Sequence, residues 1–215
     1  MTITQPFTVQ NREHAGSLLA EKLRCFKDSK TIVIGVSHGG ALIGYHVASV
    51  LHLPFDVVPC KKIDHPADTR ESIGSISLNE VIIHEDGHDI PREYIRRQII
   101  LSQNVLKAQL AFYKPNQVQK NTRNKTVIIV GDVSTNADDV LAAVRGMKKQ
   151  KPVKIIVALP AATPEVINRL LRDADEVVVL DAERHVYPEA FYEERCSIKD
   201  DEVKDLIIKA IEEFN

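Results

Sequence analysis

Along the chain, short apolar runs alternate with stretches in which apolar residues recur every three or four positions. Ala15, Leu18, Leu19, Leu23 and Phe26 carry the helical period across "VQNREHAGSLLAEKLRCFK". "TIVIGV" (Thr31 to Val36) then reads as a buried strand, Ser37-His38-Gly39-Gly40 as a turn, and "ALIGYHVASVLH" as a helix. "FDVVPCKKI" reads as a second strand that Pro59 should end early or confine to an edge. From Asp64 to Pro91 the chain turns polar, with β-like pieces "SIGSISL" and "EVIIHE", which predicts a small-stranded flap. A long helix follows over "REYIRRQIILSQNVLKAQLAFYK". Ile95, Ile99, Leu106, Leu110 and Tyr113 mark its apolar face, mostly core and in part a surface on which a second copy could pack as a homodimer. "TVIIV", "VKIIVALP" and "DEVVVLD" give three more strands. Helices are expected over Ala137 to Gln150, "TPEVINRLLRDA" and "DDEVKDLIIKAIEEF".

Strand-helix alternation predicts an α/β fold, a parallel five-stranded sheet with helices on both faces and a small β flap. No repeat or low-complexity linker breaks the chain, so residues 1–215 are expected to form one domain, with the flap at about 64–91. Ligands of such sheets bind at the carboxyl ends of the strands. Three segments should therefore share one crevice: Ser37–Gly40, Lys61–Ile63 and Gly131–Asp139.

Each segment has candidate chemistry. The glycines of "SHGG" would let backbone approach an anion, the next helix offers N–H groups, and His38 could donate to a phosphate. A tight turn with an exposed histidine is the plainer alternative. Lys61 and Lys62 could bind a pyrophosphate as point charges, or simply be solvated. In "VIIVGDVSTNADDV" a strand runs into Gly131-Asp132 and a short turn opens a helix, the frame of a phosphate site. Yet Asp138 and Asp139 stand where the anion would sit. Two unit charges about 5 Å apart repel by roughly 3 kcal/mol at an effective dielectric near 20, and by roughly 1 kcal/mol in water. The alternative is an ordinary helix start, with Ser134, Thr135 or Asn136 as N-cap and the acids complementing the dipole. "HEDGH" (His84 to His88) has the letters of a zinc-peptidase motif. Gly87, Pro91 and the hairpin signal Asp86-Gly87 remove the helix that zinc chemistry would need, so this reading is discounted.

Composition narrows the choice. The 215 residues are 44% hydrophobic and 27% charged with net charge −2, ordinary globular values without the basic footprint of a nucleic-acid binder. No apolar run reaches bilayer length, and "MTITQPFTVQ" lacks the marks of a signal peptide, so a cytoplasmic protein with no membrane contact is expected. Cys25, Cys60 and Cys196 are far apart and odd in number, as free thiols would be.

Several segments together resemble the type I phosphoribosyltransferases, in particular a branch of small bacterial and archaeal members. "NREHAGSLLAEKL" is similar to that branch's opening helix. "VIGVSHGGALIGYHVASVLHLPFDVVPCKKIDHP" is similar to its "RGG" turn, second strand and "RKI-HP" segment. "SIGSISLNEVII" is similar to its flap, and "AFYEERCSIKDDEV" to its C-terminal signature. The resemblance implies the family's five-stranded sheet and a reaction between 5-phosphoribosyl-1-pyrophosphate (PRPP), Mg²⁺ and a nitrogenous acceptor, in which pyrophosphate leaves the anomeric carbon. It implies a pyrophosphate loop at Ser37, His38, Gly39 and Gly40, assisted by Lys62. Asp132 would hold the ribose or the metal, and Ser134, Thr135, Asn136, Ala137, Asp138 and Asp139 would form the 5′-phosphate loop. The chain departs from the pattern "DDGxATGAT": Gly131 replaces the first acid, residues 136–139 replace Thr-Gly-Ala-Thr, and His38 replaces an arginine. Two expectations follow: a transferase using PRPP in a non-standard pose, or a non-catalytic member that binds a nucleotide, sugar phosphate or protein partner.

Overall fold

The structure is a computed structural model that describes residues 9–84, 90–114, 120–134, 136–182, 191–194 and 196–214. Five parallel strands make the main sheet: β1 (Thr31–Val36), β2 (Phe55–Val58), β6 (Thr126–Val130), β7 (Lys154–Ala161) and β8 (Glu176–Asp181). Their order is β2-β1-β6-β7-β8. All six residues of β1 are buried, as befits a central strand covered on both faces. One face carries α1 (Arg12–Lys22), α2 (Ser37–Leu51) and the C-terminal helix α6 (Asp200–Phe214), packed through Leu19, Ile43, Phe55 and Ile207. The other face carries α4 (Asp138–Lys148) and α5 (Pro164–Leu170), packed through Ile32, Ile129, Val144 and Leu170. The predicted five-stranded α/β architecture is what the chain forms.

Pro59 splits the predicted second strand. Val58 ends β2, and Lys61–Asp64 becomes β3 of a separate antiparallel sheet with β4 (Ser72–Ile76) and β5 (Val81–Ile83). The flap therefore begins at Lys61 rather than Asp64, and Lys61–Ile63 is a strand, not a turn. Its small core is Ile63, Ile73, Ile76 and Ile90 closed by Leu106 of α3 (Arg92–Tyr113). Ile95 and Ile99 pack against that core, whereas Ile100, Leu101, Val105 and Phe112 of α3 are exposed. Asp86-Gly87, read as a hairpin turn, lies outside the described residues. No helix among the described residues is long and apolar enough to cross a membrane.

The edge strand β2 holds an unusual residue for its place. Asp56 is 1% exposed. Its carboxylate contacts Lys114 Nζ at the end of α3 and accepts hydrogen bonds from the amides of Val57 (2.6 Å) and Lys120 (2.9 Å). Burial pushes the Lys114 amine down to about 8.

Helices α1 and α2 approach so closely that Gly16 is needed between them. A Cβ there would lie 2.6 Å from His46 Cβ and 2.8 Å from the Ile43 carbonyl oxygen. The backbone oxygen cannot rotate away, so Gly16→Ala should cost about 1–3 kcal/mol of unfolding free energy in a urea titration.

Candidate functional site

The chain leaves β1 toward β2 on one side and returns to β6 on the other. The carboxyl ends of β1 and β6 therefore flank a topological switch point, where open parallel sheets leave a crevice. The "SHGG" segment, expected as a turn, is instead the first turn of α2. Ser37 alone makes the change of direction, with φ of 56°. That region is costly for a side chain other than glycine's and marks a constrained position. Gly39 and Gly40 then pass against β6. A Cβ on Gly40 would stand 2.4 Å from the Val130 carbonyl oxygen, and one on Gly39 2.2 Å from Asp132 Oδ2.

Asp132 is thus placed directly over the start of α2, but it is already engaged. Arg12 Nε donates to Oδ2 at 2.7 Å, Tyr192 OH donates to Oδ1 at 2.6 Å, and the Val133 amide donates to Oδ1 at 2.8 Å. The Arg12 guanidinium also lies over the Tyr192 ring, 4.9 Å from its centre, and donates to the Cys196 carbonyl. Burial, followed by the Asp132 charge, pushes the Tyr192 hydroxyl well up, which keeps it a donor. His38 turns to α6: its Nε2 is 2.9 Å from Asp200 Oδ1. Asp200 also accepts from Tyr113 OH and Gln109 Nε2, and these bonds, Tyr113's first, hold its carboxyl below the usual range. An open cavity of about 500 Å³ lies beside His38 and Asp200, lined further by Lys61, Val105 and Phe112.

Side chains between β6 and the start of α4 meet three of the nearby amides. Ser134 Oγ accepts from the Ala137 amide at 2.7 Å, Asn136 Oδ1 faces the Asp138 amide at 3.4 Å, and Asp139 Oδ1 accepts from the Val140 amide at 2.8 Å. The N-cap is Ala137, not Ser134, Thr135 or Asn136. Ala137 stands where the resembling pattern has glycine, and with φ of 57° it keeps the left-handed backbone at a cost of roughly 1–2 kcal/mol. Thr135 lies outside the described residues.

Asp138 does not reach into open solvent: it is 2% exposed. Its Oδ2 meets His84 Nε2, just beyond β5 of the flap, and Arg169 Nη1 of α5 lies 2.7 Å from its Oδ1. Arg169 therefore sets a positive charge beside this acid that the loop's own pattern does not show. Asp139 keeps part of its surface in solvent while protein crowds its carboxylate. That desolvation raises its pKa; the Val140 amide and the Lys62 charge oppose the shift. Lys62, exposed on β3, reaches the site as a point charge of the flap rather than of a turn.

Sequence reading assigned no site role to Arg12, Tyr192, His84 or Arg169. Arg12 and Tyr192 lie in two of the segments that carry the resemblance, the only signal that pointed to them. His84 was noticed only as part of the zinc motif, and it follows a strand instead of lying on a helix. Among the described residues, no group of three His, Cys, Asp or Glu side chains could hold a metal ion.

A phosphoribosyl transferase domain model matches residues 9–190. The chain belongs to the phosphoribosyl transferase domain family. A Mycobacterium tuberculosis protein named "Putative phosphoribosyl transferase" is 23% identical over 179 residues, which is 79% of this chain. The chain spans only 39% of the length of that curated relative. The crystal structure of TT1426 from Thermus thermophilus superposes with a TM-score of 0.78 at 25% identity, covering 94% of this chain and 99% of that one. A purine phosphoribosyltransferase from Pyrococcus horikoshii gives 0.47 at 22% identity, over 86% and 91% of the two chains.

The folded protein binds the Asp139 proton more tightly than the unfolded chain does. Stability should therefore fall as pH rises from the ordinary aspartate value of 3.8 through the raised folded value. Asp139→Asn keeps an oxygen for the Val140 amide and removes that slope. Thermal melts across pH should show the variant more stable than its parent at neutral pH, with the difference vanishing in acid.

Proposed function

We propose that the chain is a cytoplasmic PRPP-dependent phosphoribosyltransferase that uses the β1–β6 crevice. The observation that carries this reading is that Asp132, just beyond β6, lies against Gly39; it supports a shared crevice for the acid expected at the ribose and the segment expected at the pyrophosphate. Pyrophosphate is held at the start of α2, where Gly39 and Gly40 give close backbone approach and Lys62 adds charge. Asp132 exchanges the Tyr192 hydroxyl for the ribose hydroxyls, while Arg12 keeps its charge compensated as the anomeric carbon becomes cationic. Gly131 leaves one carboxylate instead of two. That fits Mg²⁺ only as an ion carried largely by the ligand's phosphates, with Asp132 as the protein's contribution. Its role when bound is to neutralise the departing pyrophosphate.

A second reading has a specific observation in its favour. The amides of Ala137, Asp138 and Val140 already meet side chains of their own loop. A non-catalytic member that binds a nucleotide, sugar phosphate or protein partner would tolerate this.

PRPP with Mg²⁺ at about 100 times its dissociation constant should stabilise the fold by about 2.7 kcal/mol, a rise in melting temperature of about 5–10 °C. Millimolar PRPP without any rise overturns the first reading. Stabilisation without pyrophosphate release across a panel of nitrogenous bases selects the second. Where release occurs, Asp132→Asn should slow it by about 100-fold or more.

A further inference from the structure

Helix α3 keeps an apolar stripe on its outer side. Leu101, Val105, Ala108 and Phe112 are exposed and follow one another at intervals of four, three and four residues, the spacing of a seam between two packed helices. Its large apolar members, with Ile100 beside them, are between 41% and 60% exposed. Val105, Ala108 and Phe112 also form one wall of the open cavity beside His38 and Asp200. The inner side of the helix is already used, by Leu106 against the flap core and by Tyr113 on Asp200. The two ends of the stripe differ in charge. Arg92, Arg96 and Arg97 stand exposed at the N-terminal end, with Glu93 the one acid among them. The C-terminal end lies beside the first turns of α6: Gln109 and Tyr113 donate to Asp200, and Lys204 Nζ stands 4.6 Å from the centre of the Phe112 ring. Those turns carry Asp200, Asp201, Glu202 and Asp205, which outnumber the neighbouring Lys107, Lys199 and Lys204. Arg96, Arg97, Asp201 and Asp205 have no hydrogen-bond or ion-pair partner among the described residues.

We propose that α3 is the seam of a homodimer, in which a second copy of this chain packs antiparallel across a two-fold axis beside Asn104 and Val105. Pairing about that axis sets Leu101 of each copy against Ala108 of the other. Arg97 then comes level with Phe112 of the second copy, next to the acidic turns of that copy's α6. A surface that is basic at one end, apolar in the middle and acidic at the other complements itself only in this antiparallel sense. Parallel pairing would bring like charges together. Because the seam is also a wall of the cavity, the second copy's helix runs along the cavity's mouth and narrows the way in to His38 and Asp200. The dimer is independent of the crevice reading above, since neither its contacts nor its test involves turnover.

Sedimentation of the full chain across a dilution series tests this. The parent should run as a dimer at micromolar concentration. Val105→Asp places a charge at the centre of the seam on both copies and should raise the dissociation constant by at least about 30-fold. Two charge reversals, Arg96→Glu with Arg97→Glu and Asp201→Lys with Asp205→Lys, should each dissociate at the concentration that pairs the parent. Mixed together, the two reversed proteins should form a heterodimer, because every altered end then meets its opposite. All these positions are exposed, and an unchanged circular-dichroism spectrum checks that each variant folds. A parent that stays monomeric at micromolar concentration overturns the proposal. So does a dimer that Val105→Asp leaves intact, which would put the interface elsewhere. Reversed proteins that ignore each other on mixing overturn it as well, since the ends would then not meet.

Discussion

The constraint on which the site depends is the contact between the start of α2 and the end of β6. Two glycines let the helix come within van der Waals reach of a strand carbonyl and of the Asp132 carboxylate. Any side chain at Gly40 would meet backbone, which cannot move without disturbing the sheet. The same closeness brings the first turn of α2 and the acid into a single crevice, although 93 residues separate Gly39 from Asp132 (132 − 39). Ser37 accepts a left-handed backbone to achieve this. Such strain persists only where the surrounding packing enforces it.

Around that contact, buried and half-buried acids meet side chains from distant parts of the chain. Arg12 covers Asp132, and Arg169 and His84 cover Asp138. The loop from Gly131 to Asp139 looks strongly acidic when read alone, and much less so in place. Its helix terminus is supplied with acceptors from within, by Ser134, Asn136 and Asp139. Among the described residues, the acids of the site thus meet side chains from other parts of the chain.

The central sheet was legible because β1, β6 and β7 are apolar runs of the right length, and the amphipathic helices between them carry their own period. Pro59 also announced the break after β2. The start of α2 was not legible: "SHGG" has the composition of a turn, yet Gly39 and Gly40 lie in the helix and pack against the end of β6. The partners of the acids were not legible for a different reason. Arg12 and Asp132 are 120 residues apart, Tyr192 and Asp132 are 60 apart, and His84 and Asp138 are 54 apart. No local pattern encodes such pairings. The resemblance pointed to the right segments without saying which residue in each would meet the acid.

Asp56 has a consequence beyond its own neighbourhood. A sheet's outermost strand offers unpaired backbone groups, and a flat, greasy one serves as a template for a strand from another molecule. In β2 the charge turned inward and sealed by Lys114 interrupts that surface within four residues. An intruding strand would find an ion pair where it needs a continuous hydrocarbon face. A buried charge of this kind on an edge strand disfavours such pairing.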